Sequence, residues 1–445
     1  MVFKKIAKSI LFAKIVIYSV QLYFDVLTQS IAASVHGRRA KSRVTSPESP
    51  KELQNIVVIG ASFSGYHAAK LLTNSLPPNS PYQVVVVEPN SHFQFTWVLP
   101  RFCVVEGHEH KAFIPYGPYL KPAPKSMVRW IQDRVVSVSK ESIRLQSSTE
   151  EIPYAFLIIA TGSGAEDSLP SRVGAPGKPE GVERCRKMQM RIKESKRPLI
   201  VGGGAAGVEL ATDAKSLYPE KHVALVHSRP TVMQRFGSEL QAAALEGLER
   251  LGVEVHLSER MVSEDVESGT VLLKSGKVLE CDAVIHCTGQ KPSSQLLSDL
   301  APGSISESGH IRVKPTLQIA DDSLPNVYII GDVADTGTRN PNARSAMRQG
   351  QIAADNITRV TWGKKPSHHY KPWWGEAVIK LTLGLENSVT HFGDGKTELV
   401  FPGKETDPAL MCDGTWRHMG VTPFEDSSWP QGESEGVGSS AKLEV

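Results

Sequence analysis

Short aliphatic runs that close on glycine alternate along this chain with stretches whose apolar positions recur every three or four residues. From Asn55 to Leu72 the order is a run of β-branched residues, a glycine turn and a helical opening (NIVVIGASFSGYHAAKLL), and Gln83 to Val87 (QVVVV) is the next run. Pro198 to Ala211 (PLIVGGGAAGVELA) repeats the pattern, followed by the run Val223 to Val226. Three more apolar runs end in turn residues: Tyr154–Gly164 (YAFLIIATGSG), Cys281–Gln290 (CDAVIHCTGQ) and Asn326–Asp335 (NVYIIGDVAD). Buried strands alternating with amphipathic helices predict the α/β class.

The first fifty residues follow another pattern. From Ser9 to Phe24 the single charge is Lys14, and the unbroken apolar part, Ile15 to Phe24, is ten residues long. A spanning helix needs about 20. Three readings stay open: an interfacial amphipathic anchor with its lysines toward lipid phosphates, a basic mitochondrial targeting segment, and a short signal anchor or a helix packed on the body. Thr45 to Lys51 (TSPESPK) reads as a linker.

At 445 residues the chain exceeds one ordinary core. The net charge is +3, yet residues 1–50 hold eight Lys/Arg against Asp25 and Glu48, which leaves the remainder about three units negative and argues against nucleic acid as a partner. The five cysteines form no C-x-x-C pair and the 14 histidines no H-x-x-x-H spacing, so a reducing compartment is expected and no metal site. His368 and His369 read as solvated.

The two glycine turns carry the chemistry. In Gly60-Ala61-Ser62-x-x-Gly65 the first glycine allows the tight turn and the last lets the helix close on the strand. A small Ser62 between them leaves the amides free to approach a diphosphate at the helix N-terminus. Glu88 closes the next strand 23 residues beyond Gly65, where a carboxylate can accept both ribose hydroxyls of an adenosine. Gly202-x-Gly204-x-x-Gly207 repeats the turn, but its second strand ends in His227-Ser228-Arg229. His227 and Arg229 suit a 2′-phosphate, so NADPH is favoured with NADH open. Glu209, on the first turn of the second helix, is read either as a carboxylate placed by the helix dipole or as the catalytic contact at the nicotinamide or flavin edge. One chain with two such sites bridges nicotinamide and flavin.

With GASFSG, ATG, GGGAAGVELA, VALVHS, CTG and IIGDVAD in order, the chain resembles the pyridine nucleotide-disulfide oxidoreductase superfamily, in its apoptosis-inducing-factor-like, ferroptosis suppressor protein-like branch without a redox disulfide. The resemblance implies two Rossmann-like dinucleotide-binding domains: a discontinuous FAD domain (51–190 and 285–365) with an NAD(P) domain inserted (191–284), then a small α+β domain (366–430) and a disordered tail (431–445). It also implies FAD contacts at Gly60, Ala61, Ser62, Gly65, Arg101, Val135, Thr161, Gly162 and Asp332, with Gly289 in the second glycine pair. Arg101 would lie near the flavin phosphates, Val135 would act through its backbone at the adenine, and Asp332 would hold a ribityl hydroxyl. Only Cys103 stands where disulfide-reducing members carry a pair, and Val2 excludes N-terminal myristoylation.

The expected reaction passes hydride from NAD(P)H to the flavin and electrons on to a small-molecule acceptor. A quinone at a membrane leads, cytosolic-face or mitochondrial. The alternatives are a tailoring enzyme acting on a metabolite and a redox signalling protein. The C-terminal domain, with Trp373 and Trp374 as acceptor-pocket or packing residues, is where the acceptor would be recognised.

Overall fold

A computed structural model describes residues 6–18, 20, 53–76, 80–121, 123, 127–164 and 169–428. The expected linker at 45–51 and the disordered tail at 431–445 lie outside them.

Helix α1 covers residues 6–18. The first sheet is parallel, in the order β9-β4-β1-β2-β3, from β1 (Gln54–Ile59), β2 (Tyr82–Val87), β3 (Val128–Ile131), β4 (Phe156–Ile159) and β9 (Val327–Ile329). Because side chains alternate across a strand, Ile56, Val58, Val84, Val86 and Ile158 enter one buried cluster, and Val57, Ile59, Val85, Val87 and Ile159 enter another. Both faces are therefore dry, which is why these strands read as unbroken aliphatic runs rather than alternating ones. Helices α2 (Phe63–Ser75) and α7 (Ala343–Thr361) pack on each other over the first face. The antiparallel strands Val135–Val138, Ser142–Leu145 and Glu151–Pro153 line the second.

The second sheet takes its strands from the middle of the chain, in the order β7-β6-β5-β8: β5 (Pro198–Val201), β6 (Ala224–His227), β7 (Glu254–Leu257) and β8 (Ala283–His286), again all parallel. Helices α5 (Ala205–Leu217) and α6 (Ser238–Leu251) belong to this unit, and α3 (Leu99–Phe102) and α4 (Lys178–Glu194) link it to the first. The fold is thus α/β with two Rossmann-like units.

The antiparallel sheet β10 (Ile379–Thr382), β11 (Asn387–Gly393), β12 (Glu398–Lys404) and helix α8 (Cys412–His418) complete the chain. Described residues 408–428, unreadable by motif, are tied to the body. Trp416 is fully buried and donates its indole N–H to the Lys111 carbonyl at 2.8 Å. Asp426 accepts from Lys178 Nζ at 2.5 Å and lies 3.0 Å from His92 Nε2; burial raises its carboxyl, but Lys178 and the hydroxyl and amide of Ser428 outweigh that and hold it down at about 2.

One expectation is corrected. The lysines of α1 do not face outward toward lipid phosphates: Lys8 pairs with Glu239 and Lys14 with Asp394, each at 2.7 Å. Two carboxylates on the body compete for the ammonium groups and win. The helix packs on the body.

Candidate active site

Both glycine turns are closed by sterics that no side chain could satisfy. A Cβ on Gly65 would stand 1.9 Å from the Gly60 carbonyl oxygen, and one on Gly207 would stand 1.8 Å from that of Gly202. Gly60 and Gly202 have φ of +93° and +123°, the region where a side chain is strained. Around Gly162, Gly204 and Gly289, by contrast, a Cβ would meet nothing within 4 Å. The N-caps of α2 and α5, Ser62 and Gly204, make no side-chain capping bond. Tight turns thus open onto free space where uncapped helix amides point, which is the cradle a dinucleotide diphosphate needs. The residues present fit FAD at the first turn and NAD(P)H at the second.

Strand register makes the two sites superimposable position by position. Ile59 pairs with Val87 in the first sheet and Val201 with Val226 in the second. Gly60 donates its amide to Val87, and Gly202 donates to Val226. Glu88 therefore occupies the same position as His227. Glu88 is buried and accepts the amides of Ala61 (2.5 Å) and Asn90 (2.9 Å). Burial pushes its carboxyl up, and those two amides pull it back. His227 accepts the amide of Gly203 on Nδ1 at 3.0 Å. Burial, and then Arg229, hold its ring below the usual histidine range, so a neutral acceptor replaces the carboxylate. Arg229 is exposed beside it.

Asp332 lines a cavity of about 190 Å³ with Gly331, Ser345, Gln349 and His310. Its carboxylate meets Arg172 (3.2 Å) and Ser163 (3.3 Å), and the same guanidinium donates to Gln290 Oε1 at 3.1 Å. Arg172 and Gln290 escaped the sequence reading because each stands in an irregular loop and gains meaning only when the strands Ser163–Gly164 and Lys291–Pro292 pair. Thr161 donates its hydroxyl to the Ser293 carbonyl at 2.7 Å, which leaves its backbone to face a ligand. Val135 begins its strand buried, so only its backbone is available there too.

Arg101 departs from its expected place. Its Nε donates to Asp213 Oδ2 at 2.7 Å and a terminal nitrogen to the Gly384 carbonyl at 3.1 Å, and the side chain is 2% exposed. A guanidinium so enclosed has no face left for flavin phosphates; the buried Asp213, itself pushed up by burial, requires the charge where it is. Asp213 had a legible signal: it lies four residues beyond Glu209 on α5, one helical turn along the same face.

Glu209 sits in the seam between α5 and β10, where its Oε1 accepts the Thr382 amide at 3.2 Å. Burial raises its carboxyl to about 8, with the Asp213 charge adding to the rise, so it is protonated at neutral pH. In the unfolded chain this group ionises near 4.5, and in the native state near 8. Between those values the native state holds the extra proton, so stability falls as pH rises, by at most ~1.4 kcal/mol per pH unit. Glu209→Gln keeps the Thr382 contact and removes that slope. The melting temperature of the variant is expected to match wild type near pH 4.5 and to exceed it progressively up to pH 8. A constant difference across that range would place the carboxylate in solvent.

The family model for pyridine nucleotide-disulphide oxidoreductases matches residues 54–350. Fe-regulated protein 8 of Mycosarcoma maydis is 33% identical over 401 residues, covering 84% of this chain and 97% of its own. Ferroptosis suppressor protein 1 of Homo sapiens is 30% identical over 383 residues, with 83% and 96% covered. Among solved structures, the sulfide:quinone oxidoreductase of Aquifex aeolicus superposes with a TM-score of 0.65 at 16% identity, covering 82% of this chain and 90% of that one.

Proposed function

The chain belongs to the pyridine nucleotide-disulphide oxidoreductase family, an FAD-dependent NAD(P)H oxidoreductase, and from that premise we propose that it prefers NADPH and passes the electrons to a quinone at a membrane surface. The observation that carries the reading is the matched pair of cradles, with a carboxylate at one adenosine position and a neutral histidine at the other.

FAD, when bound, supplies two-electron acceptance from the nicotinamide and release to the acceptor. The chain's own part is placement. The turns at Gly60–Gly65 and Gly202–Gly207 hold the two diphosphates on the amides of α2 and α5. Glu88 takes the adenosine ribose of the first ligand, and Asp332, steadied by Arg172 and Ser163, takes a sugar-chain hydroxyl beside its cavity. At the second site His227 offers no negative charge against a 2′-phosphate and Arg229 offers a positive one. Glu209, its carboxyl raised by burial in the seam where the second unit meets the C-terminal sheet, is suited to supply the proton that quinone reduction consumes.

The quinone acceptor is supported by a likeness of fold to a protein named for that acceptor, and by an apolar helix against the body. The test is anaerobic: the flavin absorbance of purified protein should bleach with NADPH faster than with NADH and return on adding a short-chain ubiquinone through many turnovers. His227→Glu should shift kcat/KM toward NADH by about tenfold, or ~1.4 kcal/mol. Bleaching without reoxidation by quinone would move the reading to a metabolite acceptor.

A further inference from the structure

A surface helix on a water-exposed body turns its charges outward and its apolar stripe inward. Helix α1 instead turns a broad apolar arc outward as well, while its two described lysines reach carboxylates of the body. Lys8 donates to both carboxylate oxygens of Glu239 at 2.7 Å, and Lys14 donates to Asp394 at 2.7 Å. Between them Leu11 is 1% exposed. At the far end the Tyr18 ring meets Trp373 and Trp374 edge-on, with centroids 4.9 and 5.8 Å away. The other side of the helix, and Val20 beyond it, present Ile6, Ile10, Phe12, Val16 and Ile17 to the outside, each about half exposed. At about 100° per residue these six side chains span an arc of roughly 160°, centred opposite Leu11.

We propose that this outward face inserts among the acyl chains of a membrane surface while the lysine side stays clamped to the body, so that attachment is apolar and does not depend on Lys8 or Lys14. This rests on the reading of the chain as an oxidoreductase working at a membrane. Three observations choose lipid as the occupant. The outward arc carries six large apolar side chains and one hydroxyl, Ser9, whereas a protein partner needs several polar groups to set register. Both lysines are already neutralised by carboxylates behind the helix, so headgroup phosphate gains little from them. The part-exposed Trp373, held by the Tyr18 ring on the body side of the helix, stands at its far end and is a side chain that settles at a membrane boundary. No described helix is long and apolar enough to cross a membrane, so α1 lies in the plane of the surface.

The clamp also orients the body. Arg348 pairs with Glu376 and Arg344 donates to the Val378 carbonyl, which ties the first turns of α7 to the segment carrying Trp373 and Trp374. Ser345 and Gln349 of the same turns line the cavity at Asp332.

The test is flotation of the full chain with vesicles of phosphatidylcholine alone and with phosphatidylserine added, read beside NADPH-driven reduction of a water-soluble quinone. Wild type is expected to float with phosphatidylcholine alone. Ile10→Glu with Ile17→Glu should cut the bound fraction about tenfold or more and leave soluble-quinone turnover unchanged, which shows the body folded. Lys8→Gln with Lys14→Gln should still float. Binding that needs phosphatidylserine and disappears with the lysines would overturn the proposal, as would absence of flotation with a dimer that the two glutamates dissociate. Loss of quinone turnover in wild type would sink the oxidoreductase reading instead, whatever the vesicles show.

Discussion

Gly207→Ala is expected to purify with its flavin and to lose at least about a hundredfold in the rate at which NADPH bleaches it, whereas Gly65→Ala is expected to purify without flavin at all. The physical cause is the same at both positions. The new Cβ would lie 1.8 Å from the Gly202 oxygen in one case and 1.9 Å from the Gly60 oxygen in the other. Both obstructing atoms are backbone, so no rotamer change relieves the overlap, and the helix must back away from its strand. Retreat by about 1 Å moves the helix amides off the diphosphate, and displacement of that size costs on the order of a hundredfold in rate. The difference in outcome follows from which sheet each turn closes. Gly65 joins β1 to α2, and Gly207 joins β5 to α5. Gly303→Ala, where a Cβ meets nothing within 4 Å, serves as the control and should match wild type in both readouts. Loss of flavin from Gly207→Ala would mean that the second turn does not serve the nicotinamide alone.

That contrast also marks what a sequence can disclose about this molecule. The strands and turns are local: Val84 to Val87 are all buried because two layers cover them, and a strand dry on both faces must be aliphatic throughout. The equivalence of Glu88 and His227 was half legible. Spacing marked each as the residue closing a second strand, but only the register showed that both accept an amide from the glycine turn. The placement of Arg101 was not legible, since its partners, Asp213 and Gly384, stand 112 and 283 residues away. Helix α1 was legible only as a set of alternatives, an interfacial anchor, a targeting segment or a helix packed on the body, because the packing depends on Glu239 and Asp394, two carboxylates that no local pattern connects to it. Periodicity identifies faces; the partner assigns them.

Arg101→Met should destabilise the native state by about 3–5 kcal/mol, the penalty of leaving a buried charge without its partner. Asp213 Oδ1 already lacks a hydrogen-bond partner, so the second oxygen has no alternative donor to turn to once Arg101 is gone. Burial raises the Asp213 carboxyl and Arg101 lowers it. Without the guanidinium, the native state keeps a proton on Asp213 that the unfolded chain releases, so the deficit is small in acid and grows as pH rises. Adding Asp213→Leu removes the stranded charge and should recover most of the loss, because a well-packed apolar pair substitutes for a buried ion pair at little cost. Urea unfolding of the three proteins at acid and neutral pH measures both effects. The double variant also separates the two roles considered for Arg101. If the guanidinium held the flavin diphosphate, the stability regained by Asp213→Leu would come without flavin, and the double variant would stay colourless when refolded with excess FAD. If the residue joins α3 to α5 and the C-terminal sheet, as its contacts indicate, the restored fold takes up flavin and bleaches with NADPH.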